Sequence, residues 1–92
     1  MHWLEIIELR TVDKNLEILK EEFKNLIKEV EKATKREGIK TYSNEMIDTD
    51  FCVHLFHDSE KVDKGGSPLA LHIVSALKEY GLVHHKIWIE FK

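Results

Sequence analysis

In the first half of the chain, the pattern of apolar residues changes from one typical of a strand to one typical of a helix and back. Residues 3–9 are rich in β-branched and aromatic side chains, which predicts a strand. From Asp13 to Ala33 apolar residues recur every three or four positions, which predicts an amphipathic helix with Asp13 as its N-cap. Residues 39–47 and 51–57 are predicted to form two further strands, joined by a polar turn.

The second half predicts one more helix and one more strand. Ser67 and Pro68 form a typical N-cap and first-turn pair, and Gly81 is the expected stop of the helix. Residues 86–91 alternate as a last strand. The order β-α-β-β-α-β predicts a single ferredoxin-like α+β domain over residues 1–92. Right-handed crossovers place both helices on one face of an antiparallel four-stranded sheet with strand order 4-1-3-2.

The alternation along each strand divides the side chains between the two faces of this sheet. The expected core beneath the helices is Leu4, Ile6, Val53, Leu55, Ile87 and Ile89. The opposite face would carry Trp3, Glu5, Ile7, Tyr42, Asn44, Cys52, His54, Phe56, Trp88 and Glu90. The first strand is apolar on both faces, so its orientation can be reversed. A bare face of this composition favours a homodimer formed face to face through one isologous interface.

Composition and charge exclude several classes of function. The 92 residues carry a net charge of −3, and the segment 51–56 has no glycine or flanking arginine, so an RNA-binding module of this topology and other nucleic-acid partners are not expected. No apolar stretch is long enough to span a membrane. The single cysteine, Cys52, cannot form an internal disulfide, which favours a reducing, cytoplasmic location.

The chain resembles the dimeric α+β barrel superfamily, and within it the small domains of the antibiotic-biosynthesis-monooxygenase type. The resemblance rests on element order, on size and on the segments WLEIIELR, FCVHLFHDS and SPLALHIVSALKEYGLVHHKIWIEF. It implies a homodimer whose sheets pack into a barrel, with a pocket between sheet and helices. Members of this superfamily include haem-degrading enzymes and oxygenases that use neither metal nor flavin and act on hydroxyaromatic or quinol compounds.

His54 and Glu5 are the candidate catalytic pair. Both are expected on the same face of the two central strands, which lie about 4.8 Å apart. A carboxylate partner would fix the tautomer of the imidazole, as general-base chemistry requires. In an oxygenase without a cofactor, His54 would then deprotonate a small aromatic substrate. The alternative is a buried histidine that is hydrogen-bonded across the dimer interface.

Several other residues are expected to shape a substrate pocket. The predicted pocket residues are Trp3, Tyr42, Asn44, Phe56, Trp88 and Glu90. No metal site is expected, because neighbouring histidines point to opposite faces of their strands. No cofactor is expected either. The segment 64–67 could bind an anion, but an ordinary N-cap is the simpler interpretation. Two functions therefore stay open: a monooxygenase-like enzyme, and a non-catalytic structural or ligand-sensing dimerisation domain.

Overall fold

The computed structural model describes residues 2–11, 16–34, 38–47 and 49–91. Its elements follow the predicted order. They are β1 (His2–Thr11), α1 (Leu16–Thr34), β2 (Ile39–Ser43), β3 (Asp50–Asp58), α2 (Pro68–Leu77) and β4 (Gly81–Ile89). The predicted N-cap of the first helix, Asp13, lies outside the described residues.

The four strands form one antiparallel sheet in the order β2-β3-β1-β4. This is the predicted order 4-1-3-2 counted from the other edge, so the ferredoxin-like arrangement of sheet and helices is confirmed. β1 and β3 are the central strands, and buried residues of both helices join the same side of the sheet in one core. Among the described residues, neither helix combines the length and the apolar character needed to cross a membrane.

The core confirms one part of the face assignment and corrects another. Val53 and Leu55 are fully buried beneath the helices, as predicted. In β1 the faces are reversed: Trp3, Glu5, Ile7 and Leu9 are buried on the helix side, and Leu4 and Ile6 are half-buried on the other. The physical reason is the full length of the strand. It continues through Arg10 and Thr11, so the Leu4 side carries Glu8 and Arg10 and is the more polar face.

The predicted stop of the second helix, Gly81, belongs instead to the last strand. α2 ends at Leu77, and Gly81 is already the first residue of β4, paired with Thr11. A Cβ at this position would lie 2.0 Å from the carbonyl oxygen of Arg10, so the close strand contact requires glycine. At the other end of β4, Ile89 is the last residue of the strand, is 54% exposed and does not belong to the core.

The face of the sheet turned away from the helices, here called the open face, has an apolar end and a polar end. At the apolar end Leu4 lies between Phe56 and Trp88 in a row across three strands. The polar end carries the ion pairs Glu8–Lys86, at 2.8 Å, and Arg10–Asp50, at 3.2 Å. His54 lies opposite Ile6, between these two ends, whereas Cys52 and Tyr42 lie in the same cross-strand row as Glu8.

Candidate functional site

The most concentrated polar cluster in the described residues surrounds the carboxylate of Glu5, beneath the helices. The Glu5 side chain is fully buried and accepts four hydrogen bonds, two at each oxygen. Oε1 lies 2.8 Å from the backbone nitrogen of Ser67 and 3.0 Å from Nε2 of His85. Oε2 lies 2.6 Å from the hydroxyl of Ser67 and 2.7 Å from Nε2 of His57.

The strand register brings the two histidines to this carboxylate. His57 on β3 pairs with Trp3, two residues before Glu5, and His85 on β4 pairs with Ile7, two residues after it. Residues two apart on a strand share a face, so both imidazoles approach Glu5 diagonally from the neighbouring strands. Ser67, the N-cap of α2, lies on the remaining side of the carboxylate.

Trp3 covers the His57 side of the cluster. Its ring stacks on the His57 imidazole with centroids 3.9 Å apart and planes inclined by 19°. The indole N–H donates to the hydroxyl of Ser59 at 2.9 Å, which ties the start of the loop after β3 to β1. The end of the same loop is tied to β1 through Ser67 and Glu5.

Glu5 is held as an ionised carboxylate. Burial by itself would raise its pKa, but the hydrogen bonds from the hydroxyl and amide of Ser67 and from His57 and His85 lower it. The net result is a pKa below the usual value of 4.5. An ionised carboxylate only accepts hydrogen bonds, so both histidines carry their proton on Nε2.

The two histidines differ in their access to solvent. The side chain of His57 is 4% exposed and that of His85 is 18% exposed. Gly66, with a φ of 103°, passes directly over the His85 ring. A Cβ at residue 66 would lie 2.5 Å from Cε1 and 3.3 Å from Nδ1 of His85, so glycine is needed both for its backbone conformation and for this contact.

The segment 64–67 does not offer an open anion site at Ser67. The Ser67 amide donates to Glu5, and its hydroxyl accepts from the Ala70 amide at 3.1 Å, which confirms the predicted N-cap. A carboxylate of the chain itself therefore occupies the favourable position at the N-terminal end of α2.

The predicted His54–Glu5 pair does not form. Glu5 lies opposite Leu55 on the helix side, while His54 lies opposite Ile6 on the open face. The ring of His54 instead contacts Tyr42 at a centroid distance of 4.7 Å and Phe56 at 6.1 Å. The face assignment behind the pair was wrong for Glu5 and right for His54.

The open face contains a cavity of about 760 Å³ near its polar end. Of the predicted site residues, His54, Tyr42 and Asn44 line it, together with Cys52, Glu8 and His84. The side-chain oxygen Oδ1 of Asn44 also accepts from the backbone amides of Met46 and Ile47, which shapes the turn after β2.

The other predicted pocket residues do not line this cavity. Trp3 is buried with Glu5, whereas Phe56 and Trp88 lie at the apolar end of the open face. Glu90 follows the end of β4 and is exposed. The structure therefore divides the predicted site residues between the Glu5 cluster on the helix side, the two ends of the open face, and Glu90 beyond β4.

The chemistry of the cysteine and of the histidines is limited by their surroundings. Burial and the nearby Glu8 carboxylate raise the pKa of the Cys52 thiol, so it is not an activated nucleophile. Neighbouring histidines point to opposite faces, as predicted: His84 lines the open-face cavity and His85 reaches Glu5. Within the described ranges, no three or more His, Cys, Asp or Glu side chains are placed to hold one metal ion.

The sequence contained a signal for part of the Glu5 cluster. His57 continues the alternation of Phe51, Val53 and Leu55, so its position on the helix side follows from period two. The position of His85 on the helix side could not be predicted, because the last strand was predicted to begin at residue 86. Whether the two histidines meet Glu5 also depended on the orientation of β1, which the apolar pattern left open.

Comparison with models of known protein families finds no matching family, and comparison with curated proteins finds no significant match. The resemblance to monooxygenase-like α+β barrels stays a prediction.

We expect the buried carboxylate to make stability depend on pH in the acid range. A lowered pKa in the folded state stabilises the protein above the unfolded-state value near 4.5, and this contribution is lost as the pH falls through the folded-state pKa. Glu5→Gln removes it and leaves buried donors unpaired, at a cost of about 1–3 kcal/mol at pH 7. Urea unfolding of both proteins between pH 3 and pH 7 measures it, and a difference that does not shrink toward pH 3 would contradict it.

The geometry also fixes the tautomers of the two histidines. In their neutral forms His57 and His85 are expected to carry the proton on Nε2, because Glu5 accepts from that atom in both rings. Long-range ¹H–¹⁵N NMR spectra distinguish the two ring nitrogens. A proton on Nδ1 of either neutral ring would show that its bond to Glu5 is absent in solution.

Proposed function

We propose that the chain is a homodimer in which a second copy covers the open face, and that it binds a small hydroxyaromatic compound in the cavity of that face. The observation that carries the proposal is the division of the open face into an apolar end and a polar end. The apolar row suits contact with another protein surface, and the cavity suits a ligand. A cytoplasmic location, suggested by the single cysteine, stays part of the proposal.

The size and charge of the open face support a second copy as its cover. Strands about 4.8 Å apart with a rise of about 3.3 Å per residue make a four-stranded face of roughly 20 by 30 Å. Two such faces bury about 1,200 Å² together, at the lower end of the range for stable interfaces. The ion pairs Glu8–Lys86 and Arg10–Asp50 neutralise charge within each copy, so two identical faces do not repel each other.

The cavity suits a planar compound with a hydroxyl group. Its volume of about 760 Å³ is within the usual range for small-molecule sites. The Tyr42 and His54 rings offer surfaces for stacking, and the His54 imidazole offers an acceptor for the hydroxyl proton. Oxygenation of the resulting anion without a cofactor is the reaction that the resemblance implies.

One observation favours the second candidate, a non-catalytic ligand-sensing or structural dimer. No hydrogen bond or ion pair joins the His54 side chain to another described side chain, and the nearby Glu8 is paired with Lys86. His54 therefore lacks the carboxylate that orients a catalytic imidazole. In this candidate the cavity binds the compound and no reaction follows.

Two measurements test the dimer: the mass of the native protein in solution, and the effect of one charge introduced on the open face. We expect the native protein to elute from size-exclusion chromatography with a light-scattering mass of about twice 10.8 kDa. Trp88→Glu, at the apolar row, should give a monomer, because it buries an unpaired charge in the interface.

The matched control for the dimer is Leu71→Glu, which places the same charge at an exposed apolar position on α2. This variant should remain dimeric. A native monomer at micromolar concentration, or dissociation by both variants alike, would contradict the proposed interface.

The ligand proposal is tested with 1-naphthol as the probe. We expect addition of the probe to shift the amide NMR signals of Tyr42, Cys52 and His84, which line the cavity, and the shifts to weaken in His54→Ala. His72→Ala, an exposed histidine on α2, is the control and should bind as the native protein does.

Oxygen uptake in the presence of 1-naphthol separates the two candidates. Uptake that falls about 100-fold or more in His54→Ala supports the enzyme, since general bases contribute at least this much. Binding without uptake supports the sensing dimer. Shifts that avoid the cavity residues would exclude both versions of the ligand site.

A further inference from the structure

The two edges of the sheet differ in how well they are protected against pairing with another strand. β2, at one edge, has five residues and carries Lys40. β4, at the other edge, has nine residues, contains no proline and pairs with β1 without a bulge from Gly81 to Ile89. Its one lysine, Lys86, is held by Glu8 of the same chain. Short strands, free charges, prolines and bulges are the usual protection of an exposed edge, and β4 lacks all four.

The hydrogen bonds between β1 and β4 show which backbone groups of β4 point outward. The Glu90 amide donates to the carbonyl oxygen of His2 at 3.0 Å, and the next pair in the register is Trp3 with Ile89. Hydrogen-bonded and non-hydrogen-bonded pairs alternate in an antiparallel ladder, so the even-numbered residues of β4 bond to β1. The odd-numbered residues from 81 to 89 therefore direct their N–H and C=O groups away from the sheet. Within the described ranges, no strand pairs with that side of β4.

We propose that the outer side of β4 pairs with β4 of a second copy, in an antiparallel ladder centred on His85. This contact is separate from the open face and does not depend on the proposed function. The sequence of β4 is self-complementary about its central residue: Leu82 lies opposite Trp88 of the second copy, and Val83 lies opposite Ile87. Leu82 and Trp88 are 64% and 58% exposed in the single chain, so the pairing removes apolar surface from water at both ends of the strand.

The backbone and the charges of β4 both favour this register over its neighbours. A shift by one residue places outward-pointing backbone groups opposite inward-pointing ones, so the ladder is lost. A shift by two residues places Lys86 either opposite Lys86 of the second copy or opposite Leu82. In the register centred on His85, Lys86 lies opposite His84, and the Glu8 carboxylate at 2.8 Å neutralises its charge.

The area of the contact determines the concentration at which it forms. A strand of nine residues is about 30 Å long and a sheet is about 10 Å thick, so pairing two such edges covers about 600 Å² in total. A stable interface buries about 1,200 Å² or more. The edge contact therefore forms at near-millimolar protein concentration, and at micromolar concentration the mass stays that of the proposed face-to-face pair.

Amide hydrogen exchange, followed by NMR, tests the proposal on the native protein. At micromolar concentration the outward amides of Val83, His85 and Ile87 should exchange quickly, whereas β1 protects those of His84 and Lys86 at every concentration. At near-millimolar concentration the three outward amides should exchange about tenfold more slowly. A cover on the open face pairs none of these amides, so the change isolates the edge contact. Outward amides that exchange equally fast at both concentrations overturn the proposal.

The register is tested in a mixture of isotope-labelled and unlabelled protein at near-millimolar concentration. We expect an intermolecular NOE between the α protons of His84 in one copy and Lys86 in the other. These residues form a non-hydrogen-bonded pair, whose Cα atoms lie about 4.5 Å apart. An NOE between the Lys86 residues of the two copies would instead overturn the pairing about His85.

A matched pair of variants at Val83 tests the outward amides themselves. Val83→Pro removes one outward N–H that takes no part in the ladder with β1, and it should abolish the slowing at His85 and Ile87. Val83→Ala loses the same contacts with the core but keeps the amide, so it should retain the slowing. Thermal unfolding followed by circular dichroism compares the folding of the two variants. Equal behaviour of two folded variants would overturn the backbone ladder.

The edge contact and the face-to-face pair succeed or fail separately. A protein that is monomeric at micromolar concentration and slows its outward amides at near-millimolar concentration overturns the face-to-face pair and supports the edge contact. A dimer whose outward amides stay fast at both concentrations supports the face-to-face pair and overturns the edge contact.

Discussion

The fold is organised around one negative charge that is buried where the main elements meet. Glu5 on β1 accepts hydrogen bonds from β3, from β4 and from the N-cap of α2. An ionised group without these donors would be strongly destabilising in this position, because burial penalises charge. The carboxylate therefore fixes the strand register and the entry of α2 together, since a shift of any one element would remove a donor from it.

The different compositions of the two sheet faces follow from this charge. With Glu5 inside, the opposite side of β1 presents Leu4 and Ile6 together with Glu8 and Arg10. This mixture leaves the open face apolar enough to pack and polar enough to recognise a ligand. The helix side, in contrast, has a core of aliphatic side chains with one polar cluster, of which His85 is the most exposed member.

Most of the architecture was predictable because it depends on periodicity, which is local. The order of elements, the N-cap Ser67 and the buried pair Val53 and Leu55 all follow from the spacing of apolar and capping residues. The candidate site was not predictable to the same degree. The polar side of β1 carries Glu8 and Arg10, of which Arg10 lies beyond the predicted end of the strand, and the partners of Glu5 are far from it in the chain. Periodicity identifies the face on which a residue lies, but it does not identify which distant residues meet there.

The distances along the chain between Glu5 and its partners have a consequence for how the protein folds. The donors lie 52, 62 and 80 residues after the carboxylate, so local structure alone does not complete the cluster. A nascent chain that ends before β4 leaves Glu5 without its last donor and β1 as an exposed edge strand. Closing such long loops costs chain entropy before any contact compensates for it. The polar cluster is therefore complete only when β4 pairs with β1, and its contribution to stability depends on contacts between residues that are far apart in the chain.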